Sequence, residues 1–208
     1  MSHARRPPGR PRRADLQIPT DVAIMTAATA LFMDIGYRAV TMEMVADAAG
    51  VTKVSVYYHF KDKATLFVAT AHALFARARS ATEMLLAKDE PLRIRLRQIA
   101  VIVLSLPQPF TSFDAAMHEA TADLSPEQIA GVRSEERGAN AVIERAMRKA
   151  AEAGEICAPD PVLIAHAFLA LLRVGQTRGE DGNPQFPDAE RTAEALIKAL
   201  WEGIGPRR

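Results

Sequence analysis

Residues 41–63, TMEMVADAAGVTKVSVYYHFKDK, decide how this chain is read. Thr41 stands where a helix N-cap belongs, and Glu43 suits the positive end of the helix that follows. Val45, Ala46 and Ala49 face inward, with Ala46 small where two helices must cross closely. Gly50 supplies the positive φ of a tight turn, and Val51 plugs that turn into the core. Thr52 then caps a second helix, which presents Lys53, Ser55 and Val56 outward at its N-terminal end. Two short helices about a glycine turn form a helix-turn-helix, a unit that reads double-stranded DNA. In a major groove lysine can bond guanine, serine several bases, and valine a thymine methyl. Of the two tyrosines that close the second helix, one is expected to pack inward on Phe32 or Phe60. The other, Tyr58, can donate to a phosphate beside His59. Lys63 falls in the first turn of the next helix, where its charge and the helix dipole both favour an anion.

The charge distribution agrees with a polyanionic partner. Net charge is only +1, but residues 1–13 hold five arginines and no acid. A basic arm on a mildly acidic body is the asymmetry expected when one end meets phosphate. Residues 1–19 contain Gly9-Arg10-Pro11-Arg12, similar to an AT-hook core, followed by Arg13. This arm is expected to be disordered, with Arg10, Arg12 and Arg13 entering a narrow A·T-rich minor groove.

Beyond the arm the pattern is helical nearly throughout. Ile24, Ala28, Leu31, Phe32 and Ile35 make one stripe, capped by Thr20 or Asp21 and ended by Gly36. Asp62 starts a long helix toward Leu85. Pro91 opens the next, and Pro107 and Pro109 close it. A short helix spans Ser112 to about Asp123. Ser125-Pro126-Glu127-Gln128 is a capping box, and its helix runs to Gly154. Asp160-Pro161 and Asp188 start the last two, expected over 160–178 and 188–204. No strand-like alternation appears, so the fold class is all-α with about nine helices. The expected domains are the arm at 1–19, a three-helix DNA-binding domain at 20–66, and a helical-bundle effector and dimerisation domain at 67–208.

The run A-x-x-L-F-x-x-x-G-Y from Ala28 to Tyr37, followed by T-M-x-x-V-A-x-A-A-G-V-T-K-x-x-V-Y-Y-H-F-K-x-K from Thr41 to Lys63, resembles the TetR/AcrR family of bacterial transcription regulators. The resemblance implies DNA contacts at Thr41, Thr52, Lys53, Ser55, Tyr58, His59 and Lys63. It also implies a homodimer with a small-molecule effector, a repressor released from a palindromic operator, and the single cysteine, Cys157, fits a reducing cytoplasm. Rival readings are control by a protein partner, or an activator without a small ligand.

The effector half resembles the family only in architecture. Met84, Phe110, Phe113, Met117, His118 and Met147 are candidates to line a pocket between the 62–87 helix and the middle helices. Phe168, Leu172, Leu196, Leu200 and Trp201 are candidates for the dimer face. The five histidines are scattered and Cys157 has no partner at metal-site spacing, so neither metal nor cofactor is expected. No nucleophile elbow, Gly-rich phosphate loop or His-Glu-x-x-His is present, which argues against an enzyme. No run of eighteen apolar residues suggests a membrane span.

Overall fold

A computed structural model describes residues 18–107 and 110–204. They form nine helices: α1 (Thr20–Ala39), α2 (Met42–Ala49), α3 (Lys53–His59), α4 (Lys63–Leu86), α5 (Leu92–Leu104), α6 (Phe110–Ala120), α7 (Pro126–Glu152), α8 (Pro161–Gly175) and α9 (Ala189–Ile204). Among the described residues there is no strand, only an isolated antiparallel bridge between Arg178 and Pro184. No helix among them is long and apolar enough to cross a membrane. The arginines of the arm, Arg10, Arg12 and Arg13, lie outside the described residues.

Local capping chemistry sets most helix starts. The Asp62 carboxylate accepts from the Thr65 amide at 2.7 Å, and Asp160 from the amides of Val162 and Leu163. Ser125 and Gln128 form the reciprocal capping box at the head of α7. The start of α1 differs from expectation. Pro19 is its N-cap, without a side-chain bond, and Thr20 is already helical. Gly36 interrupts α1 rather than ending it, with φ 81 and ψ 167, and three helical residues follow. That backbone geometry is open almost exclusively to glycine. Helix α8 stops at Gly175, short of 178, where the chain turns toward the bridge.

The buried side chains fall into two clusters. The first joins α1, α2 and α3 to the N-terminal part of α4, to α6 and to Val132 of α7. Its centre is aromatic: Phe32 lies 5.7 Å from Tyr37 and 5.1 Å from Phe67, and Phe67 stacks on Phe113 at 6.1 Å. The second cluster joins α5, the C-terminal part of α7, α8 and α9, and is built of aliphatic residues around Phe168. Three of the dimer-face candidates belong to it. Phe168, Leu172 and Leu200 are buried within the single chain, because they sit on the inward stripes that α8 and α9 need to pack against α5 and α7. Leu196 and Trp201 are partly exposed.

Candidate nucleic-acid interface

Helices α2 and α3 are each started by a threonine cap and joined by a glycine turn. Thr41 accepts from the Met44 amide at 3.2 Å, and Thr52 from the Ser55 amide at 3.1 Å. Between them Gly50 adopts the left-handed conformation, φ 67, and its amide returns to Ala46 and Asp47 carbonyls. Met42, Val45 and Ala46 anchor α2 in the aromatic cluster.

The seven residues of α3 and its C-cap Phe60 divide by four-residue spacing into four stripes. Val56 and Phe60 form the buried one. Val56 is fully buried, which corrects the expectation that it faces outward. Val54 takes that outward place at 78% exposure, on one stripe with Tyr58 at 83%. Val56 and Phe60 form the wholly apolar stripe among the four, and that signal could have identified the inward face. Neither Tyr57 nor Tyr58 packs on Phe32. Tyr57 is nearly half exposed, and the tyrosine that stacks on Phe32 is Tyr37 of α1. His59 is exposed, with its ring edge against Tyr58 at 5.2 Å.

Two lysines have partners that spacing did not suggest. The Lys53 ammonium pairs with the Glu43 carboxylate across the two helices and lies 5.7 Å from the Tyr57 ring. The hydrogen bond between them lowers the Glu43 pKa and raises that of Lys53, each partner favouring the charged form of the other. Lys63 does more structural work than an anion contact alone. Its ammonium donates to the carbonyls of Tyr37 and Val40 at 3.1 Å and of Arg38 at 3.4 Å, and sits 4.4 Å from the Tyr37 ring. It thereby neutralises the negative end of α1. Ser55 is half-buried, its hydroxyl 3.1 Å from that of Thr52.

The end of α1 is also bound to α6 and the turn that follows it. The Arg38 amide donates to Glu119 of α6 at 2.8 Å, and the Tyr37 hydroxyl donates to Asp123 at 3.0 Å. Burial first, and then the Asp123 carboxylate, push the Tyr37 pKa above its ordinary value.

The five pocket candidates whose side chains are described do not converge. Phe113 and Met117 are buried in the aromatic cluster, Met147 in the aliphatic one, while Met84 and His118 are exposed. Phe110 begins α6. An open cleft of about 800 Å³ does lie between the C-terminal part of α4 and α7, but Leu86, Arg95, Arg145 and Lys149 line it, and Met84, Phe113, Met117, His118 and Met147 do not. Among the described residues no group of three His, Cys, Asp or Glu is placed to hold a metal.

Comparison with known proteins agrees with this geometry. Residues 24–70 match the model for bacterial regulatory proteins of the tetR family. The HTH-type transcriptional activator FasR of Mycolicibacterium smegmatis is 40% identical over 68 residues, a match spanning 31% of this chain and 31% of FasR. A tetR-family regulator from Mesorhizobium loti superposes with a TM-score of 0.64 at 25% identity, covering 89% of this chain and 96% of its own. FadR of Bacillus subtilis, solved with stearoyl-CoA, shares the fold with a TM-score of 0.65 at 13% identity, covering 87% and 97%. The matched family and these relatives are transcription regulators, not enzymes. Over residues 24–70, the stretch that holds the capped α2 and α3, the chain is similar to the TetR family of bacterial regulatory proteins.

Proposed function

We propose that this protein is a sequence-specific, DNA-binding transcription regulator that acts as a homodimer and responds to a small-molecule effector. The observation that carries the reading is the exposed face of α3, where Lys53, Val54 and Tyr58 stand beside two threonine caps. A dimer would set two such helices in successive major grooves of an inverted repeat, ~34–36 Å apart. Thr41, Thr52, Tyr58 and His59 would contact phosphate or groove edges, and Arg10, Arg12 and Arg13 the adjoining minor groove.

Dimerisation through α8 and α9 is supported by what these helices leave outside. Leu163, Ala170 and Val174 are exposed on α8, and Ala195 and Ala199 on α9. Each set recurs at helical spacing, so each makes one face suited to a four-helix bundle with a second copy. Leu196 and Trp201 flank that face. An effector seated in the cleft at one end of α4 would shift that helix. Lys63, at its other end, would carry the shift into α1 and the DNA-reading unit. The effector must favour the shifted state over the DNA-bound one. A ligand-bound neighbour, FadR with stearoyl-CoA, fits this reading.

Repression by occupancy of the operator is the simplest output. Activation is a second reading, favoured by the name of FasR, which is similar to this chain over the DNA-reading part. Selection of bound duplexes from a random pool tests the main reading, with an enriched inverted repeat as the expected result. No enrichment of any repeat overturns it. Transcription in vitro from a promoter bearing that repeat, with and without the protein, separates repression from activation.

A further inference from the structure

Glu43 places a carboxylate on the surface that the proposed reading turns toward a polyanion. It stands in the first turn of α2, two residues after the Thr41 cap. Its partner, Lys53, is the first residue of α3, directly after the Thr52 cap. Both side chains are 53% exposed, so the pair lies on the surface and adds little to the fold. The Tyr57 ring, 5.7 Å from the ammonium, limits how far Lys53 can swing away.

An acid at such a position weakens attraction to every phosphate backbone alike. It also engages the one cation at the tip of the recognition helix, which phosphate would otherwise take at any sequence. A guanine edge presents two acceptors in a fixed place, whereas phosphate is present everywhere. Holding back a cation from the common competitor is a way to gain specificity at the expense of affinity.

We propose that Glu43 is a specificity-determining residue that acts through Lys53, holding the ammonium away from phosphate and yielding it to a matching base edge. The inference rests on the DNA-binding reading above. At a mismatched site Lys53 stays with Glu43 and contributes no phosphate contact. At the matching site the ammonium is released to the groove.

The test uses the full chain, the duplex enriched by selection and a scrambled duplex of equal length. Affinities are measured for the wild type, Glu43→Gln, Lys53→Met and the double variant, from about 50 to 200 mM salt. Glu43→Gln keeps the shape of the side chain and removes its charge. It is expected to tighten binding to the scrambled duplex roughly twofold to fivefold per freed lysine, and to steepen its salt dependence by about 0.9 for each. Binding to the selected duplex should change less, so the ratio between the two falls. In the Lys53→Met background the same substitution should leave the ratio unchanged. An unchanged ratio in Glu43→Gln overturns the inference, as does equal tightening with and without Lys53, which would make Glu43 a simple repulsive charge. Failure of the wild type to enrich any duplex is a separate result, and it sinks the DNA-binding reading itself.

Discussion

The two buried clusters differ in chemistry, and the difference assigns them different work. The aliphatic cluster around Phe168 joins α5, α7, α8 and α9 through apolar contact, and its directional bonds are spread along the helices: Arg93 and Arg97 of α5 pair with Glu194 of α9, and the Gln176 side chain donates to the Val103 carbonyl. The aromatic cluster gathers directional bonds at one place, the end of α1. There Lys63 holds three carbonyls, Glu119 holds the Arg38 amide and Asp123 holds the Tyr37 hydroxyl. Apolar packing tolerates small sliding, whereas bonds of fixed length and angle transmit it. The aromatic cluster is thus suited to relay a movement of α4 or α6 through α1 to α2 and α3, because its bonds converge on one short stretch of backbone, whereas those of the aliphatic cluster are dispersed.

The strongest way to break this contrast is to remove one large ring from each cluster. Phe67→Ala deletes the ring that contacts Phe32, Tyr37 and Phe113. Phe168→Ala deletes the centre of the other cluster. Each is expected to cost about 3–5 kcal/mol in equilibrium denaturation. Only Phe67→Ala should also weaken operator binding of the folded fraction. Equal losses of binding would dissolve the distinction.

A smaller effect compares two glycines. Gly36 has a backbone conformation nearly closed to other residues, and a Cβ there would lie 3.0 Å from the Glu119 carboxylate. Gly154, φ 71, caps the far end of α7 with open space around it. Gly36→Ala should cost about 1–3 kcal/mol and push Glu119 off the Arg38 amide. Gly154→Ala should cost about 1–2 kcal/mol and leave operator affinity intact. Denaturation and anisotropy titrations of both variants decide the matter. A Gly36→Ala protein with wild-type DNA affinity would show that the Glu119 bond transmits nothing.

These sites also mark the limit of what the sequence could say. Caps are local, so Thr41, Thr52, Asp62, Ser125 and Asp160 were legible from their neighbours alone. The glycine at 50 was legible because the turn between α2 and α3 has one geometry. The inward direction of Val56 was available from its apolar partner Phe60, but Val54 and Val56 look alike until the stripes are counted. The partners of Lys53 and Lys63 were not legible. Glu43 lies ten residues from Lys53 on another helix, and the carbonyls of Tyr37 and Val40 lie 26 and 23 residues from Lys63. Such pairs depend on how helices cross, which periodicity does not encode. The pocket candidates scattered for the same reason: size and polarisability mark a residue as adaptable without saying which cluster it joins.

The finest probe of the contrast is the Tyr37 hydroxyl. Tyr37→Phe keeps the ring in its stack and removes only the bond to Asp123. Asp123 is exposed and can be hydrated instead, so the cost should be about 0.5–1.5 kcal/mol at neutral pH. The pH dependence is more diagnostic. The folded state raises the Tyr37 pKa above its ordinary value of 10.0, so the folded chain keeps a proton that the unfolded chain loses. Stability from this group is fully present below that value and declines as pH rises past it. Wild-type protein should therefore lose more stability between neutral pH and about pH 11 than Tyr37→Phe does. Urea denaturation of the two at matched pH reads the difference directly. Parallel declines would mean that the hydroxyl gains water in the folded state, and that apolar stacking alone ties the end of α1 to α6 and the turn after it.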